Sequence, residues 1–154
     1  MARGRWIHAG HAVQAATACS GRNTRRDHVR MKAARAGFLD WAIMHFRVFY
    51  LINRSGECVS STSAVAMSAK AICEQMLDRL QSEDDYLGIL DAGDNTLQIL
   101  PEPDKRRYYV EVPLDAAKAS YGRYVDRGEL EELVRSLPPT FNERSIPGLT
   151  YRPW

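Results

Sequence analysis

Phe46, Val48, Tyr50 and Ile52 alternate onto one face of an extended segment, and Phe49 and Leu51 make the opposite face apolar as well. Period-two spacing with two apolar faces predicts a strand covered on both sides. Asn53-Arg54-Ser55-Gly56-Glu57 then supplies turn chemistry, and Ser60, Ser61, Thr62 and Ser63 are candidate N-caps. The spacing changes after Ser63. Val65, Ala69, Ile72, Met76 and Leu80 recur at intervals of three and four, Cys73 and Leu77 widen the stripe, and Lys70, Glu74, Asp78 and Arg79 lie opposite. That pattern predicts one amphipathic helix from Ser63 to Gln81, stable only when packed on a sheet.

Three short apolar segments follow, Tyr86–Leu90, Thr96–Leu100 and Tyr108–Val112, separated by Asp91-Ala92-Gly93-Asp94-Asn95 and Pro101-Glu102-Pro103-Asp104-Lys105. Short strands joined by tight polar turns predict an antiparallel meander, with Pro113 ending its last strand. A less regular region containing Ser120-Tyr121-Gly122-Arg123-Tyr124 leads to a second helix. Asp126 and Glu129 have capping-box spacing ahead of Leu130, Leu133, Val134 and Leu137, and Pro138 and Pro139 stop it. The tail from Ile146 to Trp154, with Pro147, Gly148 and Pro153, is expected to run extended over the surface with Trp154 as an anchor. The order strand, helix, three strands, helix predicts an α+β fold, an antiparallel sheet of about four strands packed by one long helix and one short helix near Arg127–Leu137.

Composition divides the chain in two. Its 154 residues, 45% hydrophobic and 26% charged, suit one globular domain with an appendage and exclude wholesale disorder. The net charge of +2 conceals an asymmetry: residues 1–43 carry eight basic against two acidic residues, +6, and the remainder thirteen against seventeen, −4. Residues 1–43 lack a sustained apolar stripe and read as a basic extension, flexible or loosely helical, with Met44 an alternative natural start and 44–154 a single α+β domain. Arg22, Arg25, Arg26, Arg30, Lys32 and Arg35 make nucleic acid the expected partner of the extension.

Cys19, Cys58 and Cys73 are odd in number and show no CxxC spacing, which indicates neither a disulfide framework nor a thiolate zinc site; a reducing, cytoplasmic setting is expected. No apolar run approaches the roughly 18 residues of a membrane span.

Candidate chemistry is sparse. Cys73 sits on an apolar stripe, His45 is the only histidine from Met44 onward, and Ser60, Ser61 and Ser63 lack a nucleophile-elbow context. His8 and His11 share a helical turn without a carboxylate beside them. Asp91, Asp94 and Asn95 lack the ligand spacing of a calcium loop and read as a hairpin turn. No phosphate-cradling glycine loop occurs, so neither metal nor cofactor is predicted. Glu83, Asp84 and Asp85, with Glu111 on a strand, keep acid–base chemistry open, and a small enzyme is therefore the third reading. The same acidic cluster would suit a basic protein partner. Tyr86, Tyr108, Tyr109, Tyr121, Tyr124 and Tyr151 form the chain's one marked excess, in a residue type favoured at interfaces. Lys105-Arg106-Arg107 beside Tyr108 and Tyr109 is a combination seen in nucleic-acid sites, on a thin electrostatic footprint.

The order of elements, the meander of Tyr86–Val112, the Ser-Tyr-Gly-Arg-Tyr segment and the closing Tyr151-Arg152-Pro153-Trp154 together resemble small bacterial toxin-immunity proteins. The resemblance spans Met44 to Trp154 and implies a compact, non-enzymatic domain that blocks a toxin by binding it. It is one of architecture and carries no residue's role across. The sequence thus predicts a non-catalytic protein-binding domain whose surface combines Glu83, Asp84 and Asp85 with Tyr121 and Tyr124. A nucleic-acid-associated protein is the alternative.

Overall fold

The computed structural model describes residues His45–Trp154; the expected extension and the proposed start at Met44 lie outside the described residues. The fold is α+β with an antiparallel sheet, as expected, but the sheet has eight strands rather than about four.

Strand β1 (His45–Ile52) is central, as its two apolar faces require. On one side it pairs with β4 (Tyr86–Leu90), with Phe49 opposite Gly88. On the other it pairs successively with β2 (Glu57–Val59), along Tyr50–Ile52, and β3 (Val65–Ser68), along His45–Val48. These two short strands act as one edge strand interrupted at residues 60–64. β4 leads through β5 (Thr96–Glu102), β6 (Arg107–Leu114) and β7 (Ala119–Val125) in an antiparallel meander, and β8 (Thr150–Pro153) forms the far edge against β7.

The predicted helix from Ser63 to Gln81 is corrected. Val65–Ser68 is β3, because the outer edge of β1 needs a hydrogen-bonding partner and the β-branched Val65 supplies it while remaining 42% exposed. The helix α1 begins only at Ala69. It is α-helical over Ala69–Ala71, π-helical over Ile72–Met76 and 3-10 over Leu77–Arg79. Its N-cap is Ser68, whose Oγ accepts the Ala71 N–H at 3.1 Å, and none of the four expected caps serves. The π turn draws Ile72, Cys73, Met76 and Leu77, all buried, onto one face.

Helix α2 (Arg127–Ser136) matches its expected bounds within a residue. Its capping box forms as read: Asp126 Oδ1 accepts from the Glu129 N–H at 2.9 Å, and Glu129 Oε2 accepts from the Asp126 N–H at 3.0 Å. Both helices pack on one face of the sheet. Ile72, Met76, Leu77, Leu130 and Val134 meet Val48, Leu87, Ile89, Leu97, Ile99, Val110 and Val125 in a single core. Pro113 does not end β6, which continues to Leu114, and the irregular region around Tyr121 and the expected surface tail are the strands β7 and β8. The Trp154 N–H donates to the Lys118 carbonyl at 2.9 Å, fixing the chain end.

One buried carboxylate ties the meander to the C-terminal segment. Asp91 accepts N–H bonds from Gly93 (2.7 Å) and Asn95 (2.8 Å) within its hairpin, a side-chain bond from Asn95 (2.9 Å), and the Phe141 N–H at 2.7 Å from fifty residues away. The hairpin reading of Asp91, Asp94 and Asn95 therefore holds. Cys73 is a free, buried cysteine. Cys58 is disulfide-bonded, which neither the odd cysteine count nor the expected reducing setting anticipated.

Two stability outcomes follow from this packing. Ile72→Ala should cost about 2–5 kcal/mol in urea denaturation, since the residue is fully buried, whereas Val65→Ala should stay within roughly 0.5 kcal/mol of the parent. Burial pushes the Asp91 carboxyl up, but the Asn95 side chain and the N–H groups of Phe141, Asn95 and Gly93 outweigh it and hold its pKa below the ordinary value. Stability from Asp91 is thus present above the unfolded carboxylate pKa and is lost as pH falls through the folded one. Acid denaturation of Asp91→Asn should lack that component while starting from a lower stability at neutral pH.

Candidate functional site

The face of the sheet opposite the helices carries the polar chemistry. Alternation sends Phe49, Gly88, Gln98, Glu111, Gly122 and Thr150 to this side, and the strand registers align them in one row across β1, β4, β5, β6, β7 and β8. Two of the row's glycines are seats for rings. A Cβ at Gly88 would lie 2.0 Å from the Phe49 ring, and one at Gly122 would lie 2.2 Å from Tyr109 Oη. The rings lie flat on the sheet only because those side chains are missing.

Beside the row stands an array of aromatic and charged side chains. The Tyr109 and Tyr124 rings are 5.0 Å apart. The Arg107 guanidinium lies 3.6 Å from the Tyr124 centroid, and Arg152, reaching over from β8, stands 5.5 Å from the Tyr109 centroid and 5.8 Å from that of Tyr124. Glu102 locks the array from below: it accepts Arg107 Nε–H at 2.7 Å and Tyr124 O–H at 3.2 Å, and pairs with Lys105 at 3.2 Å. Burial pushes the Glu102 carboxyl up, and its bonds from Arg107, Lys105 and Tyr124 bring it below the ordinary value. It remains an anion in the range where cells live.

Glu111 differs. It is 1% exposed, its Oε1 has no hydrogen-bond partner, and the residue directly opposite, Gln98 at 3% exposed, also has an unpartnered Oε1. Burial drives the Glu111 pKa up, only partly offset by a bond from Ser120. Each residue thus keeps an unsatisfied acceptor, and a proton on Glu111 would turn its carboxyl into a donor. Tyr109, also raised by burial, is pushed further by the Glu111 charge, while Ser120 and Arg152 act in the opposite direction.

The residues expected to form the contact surface are not brought together. Glu83 and Asp84 are exposed, but Asp85 is buried: Oδ1 accepts the Asn53 N–H at 2.7 Å, and Oδ2 accepts the N–H groups of Gln81 and Ser82 at 2.7 and 2.8 Å. Its carboxylate is spent fastening the loop ahead of β4. Tyr121 and Tyr124 are three apart on β7 and point to opposite faces, Tyr124 into the array and Tyr121 against Tyr151 with centroids 5.5 Å apart. Reading the sequence for clusters singled out neither Glu102 nor Arg152, and it named Arg107 and Tyr109 only in a run suited to nucleic acid, not with Tyr124. The signal was present, since Arg107, Tyr109 and Glu111 alternate with Tyr108, Val110 and Val112 along β6. Of the other candidates, His8, His11 and the basic residues from Arg22 to Arg35 lie outside the described residues. Among the described residues no group of three or more His, Cys, Asp or Glu could hold a metal ion, and no helix is long and apolar enough to cross a membrane.

No protein-family model matches the chain, and neither a curated protein nor a solved structure matches it.

The state of Glu111 is open to measurement. The folded chain holds this proton more tightly than the unfolded one, so its contribution to stability is full below the unfolded glutamate pKa and declines as pH rises through the folded value. Glu111→Gln should raise stability at neutral pH by about 1–3 kcal/mol, the cost of an unsatisfied buried group, and should flatten the decline seen in urea melts between mildly acidic and alkaline buffers. An identical pH slope in the variant would assign that slope to other groups.

Proposed function

We propose that the domain is a non-catalytic protein-binding module of the immunity type, which blocks a partner by occupying it, and that contact is made through the array of Arg107, Tyr109, Tyr124 and Arg152. The observation that carries this reading is the stacking of two tyrosines and two arginines, half-buried or exposed, on one sheet face. Tyrosine and arginine are the residue types that dominate interface energetics. Glu102 and the flanking rings already fix their rotamers, so little side-chain entropy remains to be lost on association. Glu83 and Asp84, in the loop that opens at the same end of the sheet, add charge at the margin of this surface, where it sets encounter rate more than affinity.

Affinity capture from the native cell extract with the full chain, followed by quantification of the recovered partner, tests the reading. The pair Tyr124→Ala with Arg152→Glu should weaken capture at least thirtyfold, equivalent to the roughly 2 kcal/mol of a hot spot, while Glu83→Lys with Asp84→Lys should change it several-fold at most. Capture indifferent to the first pair would remove the array from the interface. Turnover of a small substrate by the purified chain would remove the non-catalytic reading altogether.

A further inference from the structure

Three side chains on the face away from the helices are buried more deeply than anything described on that face explains. Phe49 lies flat over Gly88, Tyr86 stands edge-on to it with ring centroids 6.1 Å apart, and Leu90 completes the cluster. A ring laid on an open sheet shows its upper side to water, yet Phe49 and Tyr86 are each 4% exposed and Leu90 7%. The Tyr86 hydroxyl is itself sealed off without a hydrogen-bond partner, a costly position. Among the described residues only Leu51, Ala64 and Leu100, all half-buried, flank the cluster, and both helices pack on the opposite face. The burial arises within a single chain, so the cover belongs to this chain rather than to a second copy.

We propose that residues 38–44 supply this cover, returning from the start of β1 over Phe49, Tyr86 and Leu90. They lie outside the described residues and join β1 directly at His45. Residues 1–43 lack a sustained apolar stripe, but apolar side chains crowd at this end: Phe38, Leu39, Trp41, Ala42, Ile43 and Met44, with Asp40 alone charged. The reach suffices. Phe49 stands four residues into β1, about 13 Å from its start at ~3.3 Å per residue, and seven residues can extend over roughly 23 Å. The basic residues from Arg22 to Arg35 fit the patch less well, because a buried cation needs a paired carboxylate and the cluster offers none. Phe38 and Trp41 laid against these rings would bury apolar surface that so short a segment cannot bury within itself. The contact does not depend on the tyrosine–arginine array, which lies farther along the sheet on β6, β7 and β8.

The full chain, labelled with carbon-13 at its isoleucine and leucine methyl groups, would be followed by nuclear Overhauser contacts, with unlabelled chain mixed in to separate contacts within a chain from contacts between chains. The Trp41 indole protons should contact the methyl groups of Leu51 or Leu90 within one chain, unchanged on tenfold dilution. In urea denaturation, Phe38→Ser with Trp41→Ser should lower the folding equilibrium constant roughly thirtyfold or more, as two large apolar side chains lose their burial, whereas Trp6→Ser should change it about twofold at most. Trp41 contacts that are missing from the folded chain would overturn the proposal. So would contacts seen only between chains, which would give the face to a second copy. Unchanged stability in the Phe38 and Trp41 pair would overturn it as well, as would Trp6→Ser destabilising as much as that pair, since the cover would then be drawn from elsewhere in residues 1–44.

Discussion

A sheet whose central strand is apolar on both faces but which is packed by helices on one has to finish its second face with its own side chains. That constraint organises the domain. Phe49, Tyr86 and Leu90 form a small cluster on this side, separate from the main core under the helices. Farther along, past Leu100, the sheet lays Tyr109 over Gly122 and leaves Gln98, Glu111 and Ser120 buried beside it. Burying polar groups in this way is costly unless they find partners. The unpartnered acceptors of Gln98 and Glu111 show where that cost has not been met.

The same face therefore holds both unpartnered buried acceptors and the stacked, hydrogen-bonded array. Glu102 stands between them: it fixes Arg107 and Tyr124, and through the ring contact with Tyr109 it connects the surface array to the buried row. Rigid rings over a polar floor make a surface that is defined in shape while remaining wettable.

Where local chemistry decided the structure, the sequence could be read. The Asp126–Glu129 box, the stripe of α2 and the turn at Asp91–Asn95 each need only neighbouring residues, and each is found as expected. Where tertiary pairing decided it, the reading failed. Val65 to Ser68 fits a helical stripe on spacing alone, yet β1 has two edges to satisfy, and edge pairing outranks a stripe that one exposed valine only half supports. β7 hid its alternation because neither of its sides is a run of aliphatics: Ser120, Gly122 and Tyr124 lie on one, and Ala119, Tyr121, Arg123 and Val125 on the other. The site suffered the same fate: adjacency in sequence suggested Asp85 with Glu83, and Tyr121 with Tyr124, whereas the period of two in a strand and the demand for loop hydrogen bonds separate both pairs.

Among the described residues the sheet has two outer strands, and each presents backbone groups that could template the addition of another chain. The first is cut short, since Ser60–Ala64 interrupts it between β2 and β3 and no uninterrupted ladder longer than four residues is offered there. The last, β8, is four residues long and carries Pro153, which has no N–H to donate, beside the cationic Arg152. Short, broken, charged and proline-bearing edges are how open sheets avoid polymerising through their margins. For a domain proposed to meet a partner with its face, such rims work against meeting copies of itself.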